Sequence, residues 1–434
     1  MESAATIPDI LPGITLSEEQ WEALQAIEEF LHSQSKLYLL TGYAGTGKTT
    51  LLQALVTHLR NQGCDWPVVL TAFSNKATKV LKSMAAQWDL QVESITCCRL
   101  LGLKPVIDTG SGEQIFKSVS DQHNQVPEYR LVIVDECSMI NQEMRKLLVE
   151  AISRLDIPTQ MLFVGDPAQL PPVNEIESCC FGQIIHQSSL SQVVRYGGAI
   201  GLVADDIRRH IDRERLPRYE SDTNCDRTEG LFVLPREGWQ QTLVRAFTCD
   251  SYRADPNYVR VLAYTNRRVK SLNRAVRRAI YGDNLEQFVC GERLIANNPC
   301  LEDGAIILQT SEECEVVEIS PGKIEGLPVW QLTVYTDEGK FQDLNVLQEV
   351  SIPEYERRSR DYATNKQWEI FWEFRQRFHE VNYAYSLTVH KSQGSTFKDV
   401  FIDLPDLMRN PKTVERNQLC YVAFTRAAKR VFIY

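Results

Sequence analysis

The stretch TGYAGTGKT at positions 41–49 is a glycine-rich loop of the form GxxxxGK[ST]. The apolar run LYLL precedes it at 37–40 and leucines at helical spacing follow it, so the loop joins a buried strand to a helix. Glycines let backbone N–H groups curl around a phosphate, and a lysine and a threonine hydroxyl suit phosphates and Mg²⁺. The loop therefore predicts an α/β domain that binds ATP or GTP.

The same loop predicts which residues contact the nucleotide. Lys48 supplies a charge for the β- and γ-phosphates, and Thr49 supplies an oxygen ligand for Mg²⁺. Near the C-terminus, Arg426 in YVAFTR at 421–426 is placed to complete the site from a second domain. The remaining predicted contacts are Gly42, Ala44, Gly45, Thr46, Gly47 and Thr50.

Two further motifs follow apolar strands. Asp135-Glu136 ends the run LVIV at 131–134, which places two carboxylates at the C-terminal edge of a parallel sheet, where such folds bind ligands. Asp135 is predicted to hold Mg²⁺, and Glu136 to orient or deprotonate the attacking water. Gln169, within GDPAQLPPV at 165–173, is an uncharged side chain suited to a hydrogen bond with the γ-phosphate. These residues predict hydrolysis as well as binding.

Length and composition are those of an ordinary globular protein. The 434 residues allow two to four domains at ~100–200 residues each, and 43% are hydrophobic and 24% charged. No apolar run approaches the ~20 residues of a membrane helix, and the acidic N-terminus lacks a signal-peptide pattern. The twelve cysteines form no CxxC pair, which disfavours a structural zinc site. We expect a cytoplasmic protein with reduced thiols and no membrane partner.

The net charge of −10 hides one basic segment. A nucleic-acid contact is one interpretation of such a segment, and a solvated helix face is another, so both stay open. Between positions 258 and 280 there are no acidic residues and seven basic ones, namely Arg260, Arg267, Arg268, Lys270, Arg274, Arg277 and Arg278.

Short apolar strands alternate with helices, which predicts parallel sheets wrapped by helices. The polar stretch 104–130 is too long for an ordinary connection and predicts an inserted subdomain. A second α/β unit is interrupted by β-like residues and then by charged, aromatic, helical residues at 354–381. We expect a first domain at 1–95 and 129–200 with an insertion at 96–128, and a second domain at 201–282 and 382–434 with an insertion at 283–381.

The order of these motifs resembles that of a known family. DECSM at 135–139 followed by GDPAQLPPV resembles superfamily 1 helicases of the B type, the RecD-like group, and LSQVVR at 190–195 resembles motif IV of that group. The segments FWEF at 371–374, VHKSQG at 389–394 and YVAFTR are similar to it as well, so the resemblance covers nearly the whole chain. It implies two RecA-like domains, the first with a small inserted hairpin subdomain and the second with a larger insertion that is β-rich (SH3-like) and helical.

The resemblance also implies residue roles. Arg195 and Arg426 match arginine fingers, Gly394 joins the nucleotide contacts, and Gln20 matches a glutamine that contacts adenine. Ser17 and Gln20 also form an S-x-x-Q capping box for a helix at 17–33, which explains Gln20 equally well. The residues implied to grip single-stranded DNA are Ser74, Asn75, Lys76, Thr96, Thr265, Asn266, Arg267, Thr388 and His390.

Two positions depart from the family pattern, and a third matches it with two interpretations open. Phe73 stands where the family usually has Pro and Cys98 where it usually has His, so the contacts of those residues must be made otherwise here. The segment QIFK at 114–117 matches a subdomain whose tip phenylalanine separates the strands of a duplex. Phe116 is therefore interpreted as a strand-separating pin or, alternatively, as an anchor of the subdomain's own core.

A chain of this kind is expected to be a monomeric motor that uses ATP and Mg²⁺ to move 5′ to 3′ along single-stranded DNA. The expected partners are single-stranded DNA and forked duplex DNA, which the motor unwinds. The direction rests wholly on the resemblance. An RNA helicase, a translocase that does not unwind, and a nucleotide-gated binding subunit of a repair complex remain alternatives.

Overall fold

The computed structural model describes residues 10–11, 13–107, 114–118, 124–153, 156–172, 175–182, 184–193, 198–283, 286–302, 305–336 and 339–434. At 104–107, 114–118 and 305 the description covers the backbone alone. Within the described part of the chain, no helix is long and apolar enough to cross a membrane.

The N-terminal part of the chain alternates helices with strands. Its helices are α1 (Glu18–Leu31), α2 (Lys48–Asn61), α3 (Asn75–Gln87), α4 (Cys97–Leu100) and α5 (Gln142–Ile152). Its strands are β1 (Leu37–Gly42), β2 (Val68–Ala72), β3 (Glu93–Thr96), β4 (Leu103–Ile107), β5 (Gln114–Ser118), β6 (Leu131–Asp135), β7 (Gln160–Gly165) and β8 (Gln187–Leu190). The capping box predicted for α1 is confirmed, since Ser17 and Gln20 exchange both of its hydrogen bonds.

The first sheet has the strand order β3-β2-β6-β7-β1-β8, and every neighbouring pair is parallel. Side chains alternate between its faces: Tyr38 and Leu40 join one buried cluster and Leu39 joins the other. Because parallel strands end at one edge, the segments after β1, β2, β6 and β7 meet there. That edge carries the motifs at 41–49, 135–139 and 165–173.

The second α/β unit begins after residue 197. Its elements up to its insertion are α6 (Ala199–Arg209), β9 (Asp222–Thr223), β10 (Gly230–Val233), α7 (Arg236–Thr248), α8 (Asp250–Ala254), β11 (Val259–Ala263) and α9 (Asn266–Tyr281). The insertion contains β12 (Arg293–Ala296), β13 (Cys300–Glu302), β14 (Ala305–Leu308), β15 (Glu313–Ile324), β16 (Leu327–Thr336), β17 (Phe341–Leu347), α10 (Ile352–Thr364), α11 (Trp368–Gln376) and β18 (Val381–Tyr383). The unit closes with β19 (Ser386–Thr388), β20 (Phe397–Ile402), α12 (Leu404–Leu407), α13 (Thr413–Thr425) and β21 (Ala427–Ile433).

Two sheets organise this half. The order β19-β11-β20-β21-β10-β9 is parallel except at the edge strand β9, and the insertion forms the antiparallel order β17-β16-β15-β12-β18. Parallel sheets flanked by helices, with insertions, confirm the predicted fold class. The helical prediction for 354–381 was wrong at its C-terminal end, because Val381 lies in β18, which pairs with β12.

The segment between β3 and β6 contains the predicted hairpin. Strand β4 pairs antiparallel with β5, and the register places Phe116 opposite Pro105. Residues 108–113 and the side chain of Phe116 lie outside the described part of the chain.

Candidate nucleotide and nucleic-acid sites

The glycine-rich loop runs from the end of β1 to the first residue of α2. Gly45 and Gly47 have φ values of 81° and 77°, in the left-handed region that glycine adopts at little cost. A Cβ on Gly47 would come within 2.4 Å of Nε2 of Gln20. The backbone conformation therefore favours glycine at position 47, and a side chain there would have to displace the amide of Gln20.

Lys48 is held over this loop. Its Nζ donates to the carbonyl oxygens of Gly42 and Tyr43 at 2.6 and 3.0 Å. The same ammonium group can turn to phosphate oxygens without moving α2. Lys48, Thr49 and Thr50 line one cleft with Ala44, Gly45 and Gly47.

Asp135 and Glu136 stand at the end of β6. Oδ1 of Asp135 accepts the N–H of Glu136 at 2.8 Å, and Glu136 adopts φ 51° and ψ 42°, a costly conformation for a residue with a side chain. Burial and the neighbouring Glu136 charge raise the pKa of Asp135 to about 7, against the opposing effect of Lys48. A divalent cation bound at Asp135 would lower this pKa, because a positive charge favours the ionised form of the carboxylate.

Two buried oxygens face the same cleft with unmet hydrogen-bonding capacity. Within the described part of the chain, Oε2 of Glu136 and Oε1 of Gln169 find no hydrogen-bond partner. Such atoms are costly to bury unless a ligand or water completes them. Thr49 and Asp135 also line the cleft and offer the oxygen atoms that Mg²⁺ prefers. The donor set therefore fits a nucleotide with its magnesium ion.

The second domain supplies the far wall of this cleft of about 370 Å³ through Gly394, Ser395, Thr396, Thr425 and Arg426. Gly394 has φ 71°, and a Cβ there would lie 3.4 Å from that of Ala77. Arg426 is 6% exposed and donates to the carbonyl oxygens of Val422 and Ser395 at 3.2 and 3.3 Å. The structure thus brings Arg426 and Gly394 to the loop, whereas Arg195 lies outside the described residues.

Gln20 lies against the loop with both ends of its amide engaged. Oε1 accepts the N–H of Ser17 at 2.9 Å, and Nε2 donates to the carbonyl oxygen of Thr46 at 3.0 Å. The side chain is therefore both a helix cap and a brace of the loop. Its contact with adenine stays a prediction.

Two residues of this site were missed by sequence reasoning. Asp166 is fully buried, and its Oδ2 accepts hydrogen bonds from the N–H of Ala44 and the hydroxyl of Tyr421. Tyr421 belongs to the second domain, so the pair connects the two walls of the cleft. Both residues lie inside motifs already identified, GDPAQLPPV and YVAFTR. Membership in these motifs was the sequence signal that could have identified them.

A larger cavity, of about 750 Å³, lies beside α3 and α4. Five of the residues predicted to grip single-stranded DNA line it: Ser74, Asn75, Lys76, Thr96 and His390. Phe73 and Cys98, the two departures from the family pattern, line it too, as does the β13–β14 hairpin through Ile306. Burial lowers the pKa of His390, which keeps the imidazole neutral.

Polar contacts join α3 to the insertion at this cavity. Nζ of Lys76 lies 3.3 Å from Oε1 of Glu313, and Nζ of Lys79 lies 3.1 Å from Oε1 of Glu312. Although burial opposes ionisation, the charges of Arg260, Lys76 and Arg293 lower the pKa of Glu313 to about 2. This carboxylate therefore stays ionised and holds the two domains together.

The other predicted DNA contacts lie elsewhere. Oγ1 of Thr265 caps α9 by accepting the N–H of Arg268 at 3.2 Å and donates to Asp406 at 3.0 Å. Thr388 is buried, and its Oγ1 accepts the N–H of Lys391 at 3.3 Å. Asn266 and Arg267 line a separate groove along α9. The two threonine hydroxyls thus already have structural partners.

The basic segment at 258–280 is divided by the fold. Arg260 is buried and pairs with Glu313 at 3.0 Å, while Arg277 pairs with Glu292 and Arg268 with Asp403, each at 2.5 Å. These three side chains are engaged in ion pairs. For them, the interpretation as a solvated helix face and the interpretation as a nucleic-acid contact were both wrong. Those left exposed are Arg267, Lys270, Arg274 and Arg278.

Comparisons with known proteins find two matching family models and relatives that cover nearly the whole chain. Residues 15–226 match the family model described as AAA domain, and residues 383–434 match the UvrD-like helicase C-terminal domain. Uncharacterized protein R530 of Acanthamoeba polyphaga mimivirus is 24% identical over 96% of this chain and 98% of its own length. The ATP-dependent DNA helicase dda of Enterobacteria phage T4 is 23% identical, with the same coverage of 96% and 98%.

A solved structure shares the fold. The Pif1 helicase from Bacteroides in complex with ADP-AlF3 and ssDNA superposes with a TM-score of 0.53 at 15% identity, covering 96% of this chain and 92% of the other. At that identity the likeness speaks for the fold alone.

Proposed function

Because the chain belongs to the superfamily 1 helicases of the Pif1, RecD and Dda type, we propose that it couples ATP hydrolysis to movement along single-stranded DNA and to unwinding of duplex DNA. The observation that carries this proposal is the cleft of about 370 Å³ between the two domains. One wall holds the loop with Lys48, and the other holds Arg426. Because each domain forms one side of the cleft, hydrolysis of ATP bound between them changes the relative position of the two domains.

The residues of the cleft divide the work of hydrolysis. Lys48 turns from the loop carbonyls to the phosphate oxygens, and Gln169 directs its amide to the γ-phosphate. Glu136 orients the attacking water and accepts its proton, a role supported by its Oε2, which finds no hydrogen-bond partner among the described residues. Thr49 and Asp135 would hold Mg²⁺, whose positive charge would stabilise the negative charge on the transferring phosphoryl group.

Arginine fingers complete the transition state. Arg426 leaves its carbonyl partners and binds the phosphoryl oxygens, where negative charge develops in the transition state. Arg195 is proposed to bind the same oxygens from the first domain. The other proposed nucleotide contacts are the loop residues from Gly42 to Thr50, Gly394, and Gln20 at adenine. Because Arg426 belongs to the second domain, its engagement closes the cleft when ATP is bound.

We propose that the strand lies in the cavity of about 750 Å³, which Ser74, Lys76 and His390 line. The motion is proposed to run 5′ to 3′, with Phe116 as the pin at the fork. We propose the domain boundaries given above for the two RecA-like domains and their insertions. We also propose that the protein is a monomer and acts in the cytoplasm.

The decisive experiment measures unwinding of duplexes that carry only a 5′ tail or only a 3′ tail, with ATP and Mg²⁺. Unwinding of the 5′-tailed duplex alone is expected, and unwinding of the 3′-tailed duplex alone would reverse the direction. Stimulation of hydrolysis by RNA but not by DNA would point to an RNA helicase. Single-strand binding gated by ATP without hydrolysis would point to a binding subunit.

A further inference from the structure

The exposed face of α9 carries cations that neither the nucleotide cleft nor the 750 Å³ cavity uses. They line a groove of about 680 Å³ together with Asn266, Ser271 and Ala275. Their spacing of three, four and four residues puts them on one side of the helix, about 4.5–6 Å apart along its axis. We call these cations, Arg267, Lys270, Arg274 and Arg278, the α9 stripe.

Little on the protein neutralises the α9 stripe. Among the described residues, only Arg278 of the stripe pairs with a carboxylate, that of Asp283 at 2.7 Å, and both side chains are exposed. The other two arginines of this helix, Arg268 and Arg277, turn to acidic partners instead. On a chain with a net charge of −10, such a line of cations is a local feature that attracts a polyanion.

The lining of the groove defines the chemistry of that polyanion. Guanidinium, ammonium, hydroxyl and amide groups are the donors that phosphate oxygens accept. Among the described residues that line the groove, none is aromatic, so bases find no stacking surface there. The groove therefore suits a phosphodiester backbone bound without regard to sequence.

We propose that the α9 stripe binds the backbone of single-stranded DNA that continues past Asn266, an inference that rests on the proposed function. Asn266 is the first residue of α9, is implied by the family resemblance to grip the strand, and lines the same groove. A strand held there meets the four cations of the stripe in succession along the helix. Contacts to phosphates alone can pass from one nucleotide to the next, which suits a moving strand.

The test compares two variants that lose the same charge. The first is Lys270→Gln/Arg274→Gln/Arg278→Gln. The control is Lys146→Gln/Lys412→Gln/Lys429→Gln, whose side chains lie outside α9, are 73%, 78% and 50% exposed, and each pair with a glutamate. Fluorescence anisotropy measures binding of oligothymidylates of about 6 and about 16 nucleotides, a range that spans common site sizes. Each titration is repeated over a series of salt concentrations, and a blunt duplex is included.

The stripe variant is expected to bind the long oligonucleotide ~10- to 100-fold more weakly, with a salt slope reduced by about 2 for three lost contacts. Its binding of the short oligonucleotide, and the control variant's binding of both, should match wild type. An equal loss for both lengths, an equal loss in the control, or no loss at all would overturn the proposal. A loss confined to the blunt duplex would overturn it as well, because the occupant would then be duplex.

Unwinding by the wild-type protein separates this inference from the proposed function. If the wild-type protein binds no oligonucleotide and unwinds no tailed duplex, the proposed function fails. If it does both and the stripe variant matches it in every titration, only the assignment of the α9 stripe fails.

Discussion

The hydroxyl of Tyr421 donates a hydrogen bond to Oδ2 of Asp166 at 2.7 Å, across the cleft between the two domains. The N–H of Ala44, in the glycine-rich loop, lies 2.9 Å from both oxygens. A second-domain side chain is thus bonded to the loop and to the segment that carries Gln169. Through this contact, a movement of the second domain can change the conformation of the glycine-rich loop.

Tyr421→Phe removes that hydroxyl alone. We expect DNA-stimulated turnover to fall ~10- to 100-fold, since a hydrogen bond to a charged group contributes about 1.5–3 kcal/mol, with little change in KM for ATP. Tyr219→Phe is the matched control, because the Tyr219 hydroxyl is buried in the same domain and finds no partner among the described residues. Steady-state kinetics of both variants decide the matter. Equal kinetics for the two would show that the contact between Tyr421 and Asp166 is dispensable.

Lys48→Ala should abolish hydrolysis and spare single-strand binding. Lys48 lies in the nucleotide cleft, whereas the proposed strand residues line a different cavity. Loss of one transition-state charge predicts a decrease of about 10³-fold in turnover. ATPase assays and anisotropy on one preparation check both halves. More than a tenth of wild-type turnover would refute the role of Lys48.

Arg426→Ala should lower turnover far more than ATP affinity, by about 10³-fold or more, because a finger meets charge that develops in the transition state. Arg426→Lys keeps the charge and loses the planar fork, so partial recovery at most is expected. Because Arg426 is buried, melting temperatures control for misfolding. The same measurement applies to Arg195→Ala. Normal turnover at saturating ATP, with weakened binding, would contradict the role.

Phe116→Ala separates the motor from the wedge. A pin loses a stacking surface of about 1–3 kcal/mol per base, so unwinding should drop while single-strand-stimulated hydrolysis stays near wild type. A core anchor would instead cost roughly 3–5 kcal/mol of stability and lower the melting temperature. ATPase, unwinding and thermal melting are measured together. Unwinding at the wild-type rate would refute the pin.

Glu313→Gln should destabilise the protein in a pH-dependent way. Its folded-state pKa of about 2 lies below the ordinary value of about 4.3, so its stabilisation is complete above about pH 5 and is lost as pH falls towards 2. Breaking such a buried pair costs roughly 3–5 kcal/mol at neutral pH. Urea unfolding between pH 7 and the acid limit of folding measures the difference from wild type. That difference should shrink as pH falls below about 4.

Glu354→Gln is the control for this prediction. Hydrogen bonds and charge from Arg357 and Arg358 also lower the pKa of Glu354 to about 2, but solvent screens this pair at the surface. We expect little change in unfolding at any pH. A pH-dependent loss as large as that of Glu313→Gln would show that burial does not set the strength of the Glu313 network.

Local sequence determined the nucleotide site. The loop at 41–49 needs its glycines and Lys48 wherever it occurs, and strand periodicity placed Asp135 and Gln169 at the edge of one sheet. The positions of these residues were predictable because each depends on residues adjacent in the chain, whereas their roles stay predictions. The capping box of Ser17 and Gln20 was predictable for the same reason.

Tertiary structure alone decided how the polar side chains pair. Nothing local distinguishes Arg267, which is exposed, from Arg268, which turns to Asp403, or reveals that the Thr265 hydroxyl is taken by Asp406. Tyr421 meets Asp166 from 255 residues away. Periodicity predicts which face of an element is buried, but the partner of a buried charge depends on which distant element packs there. The division of the basic segment into ion pairs and an exposed stripe follows from that packing.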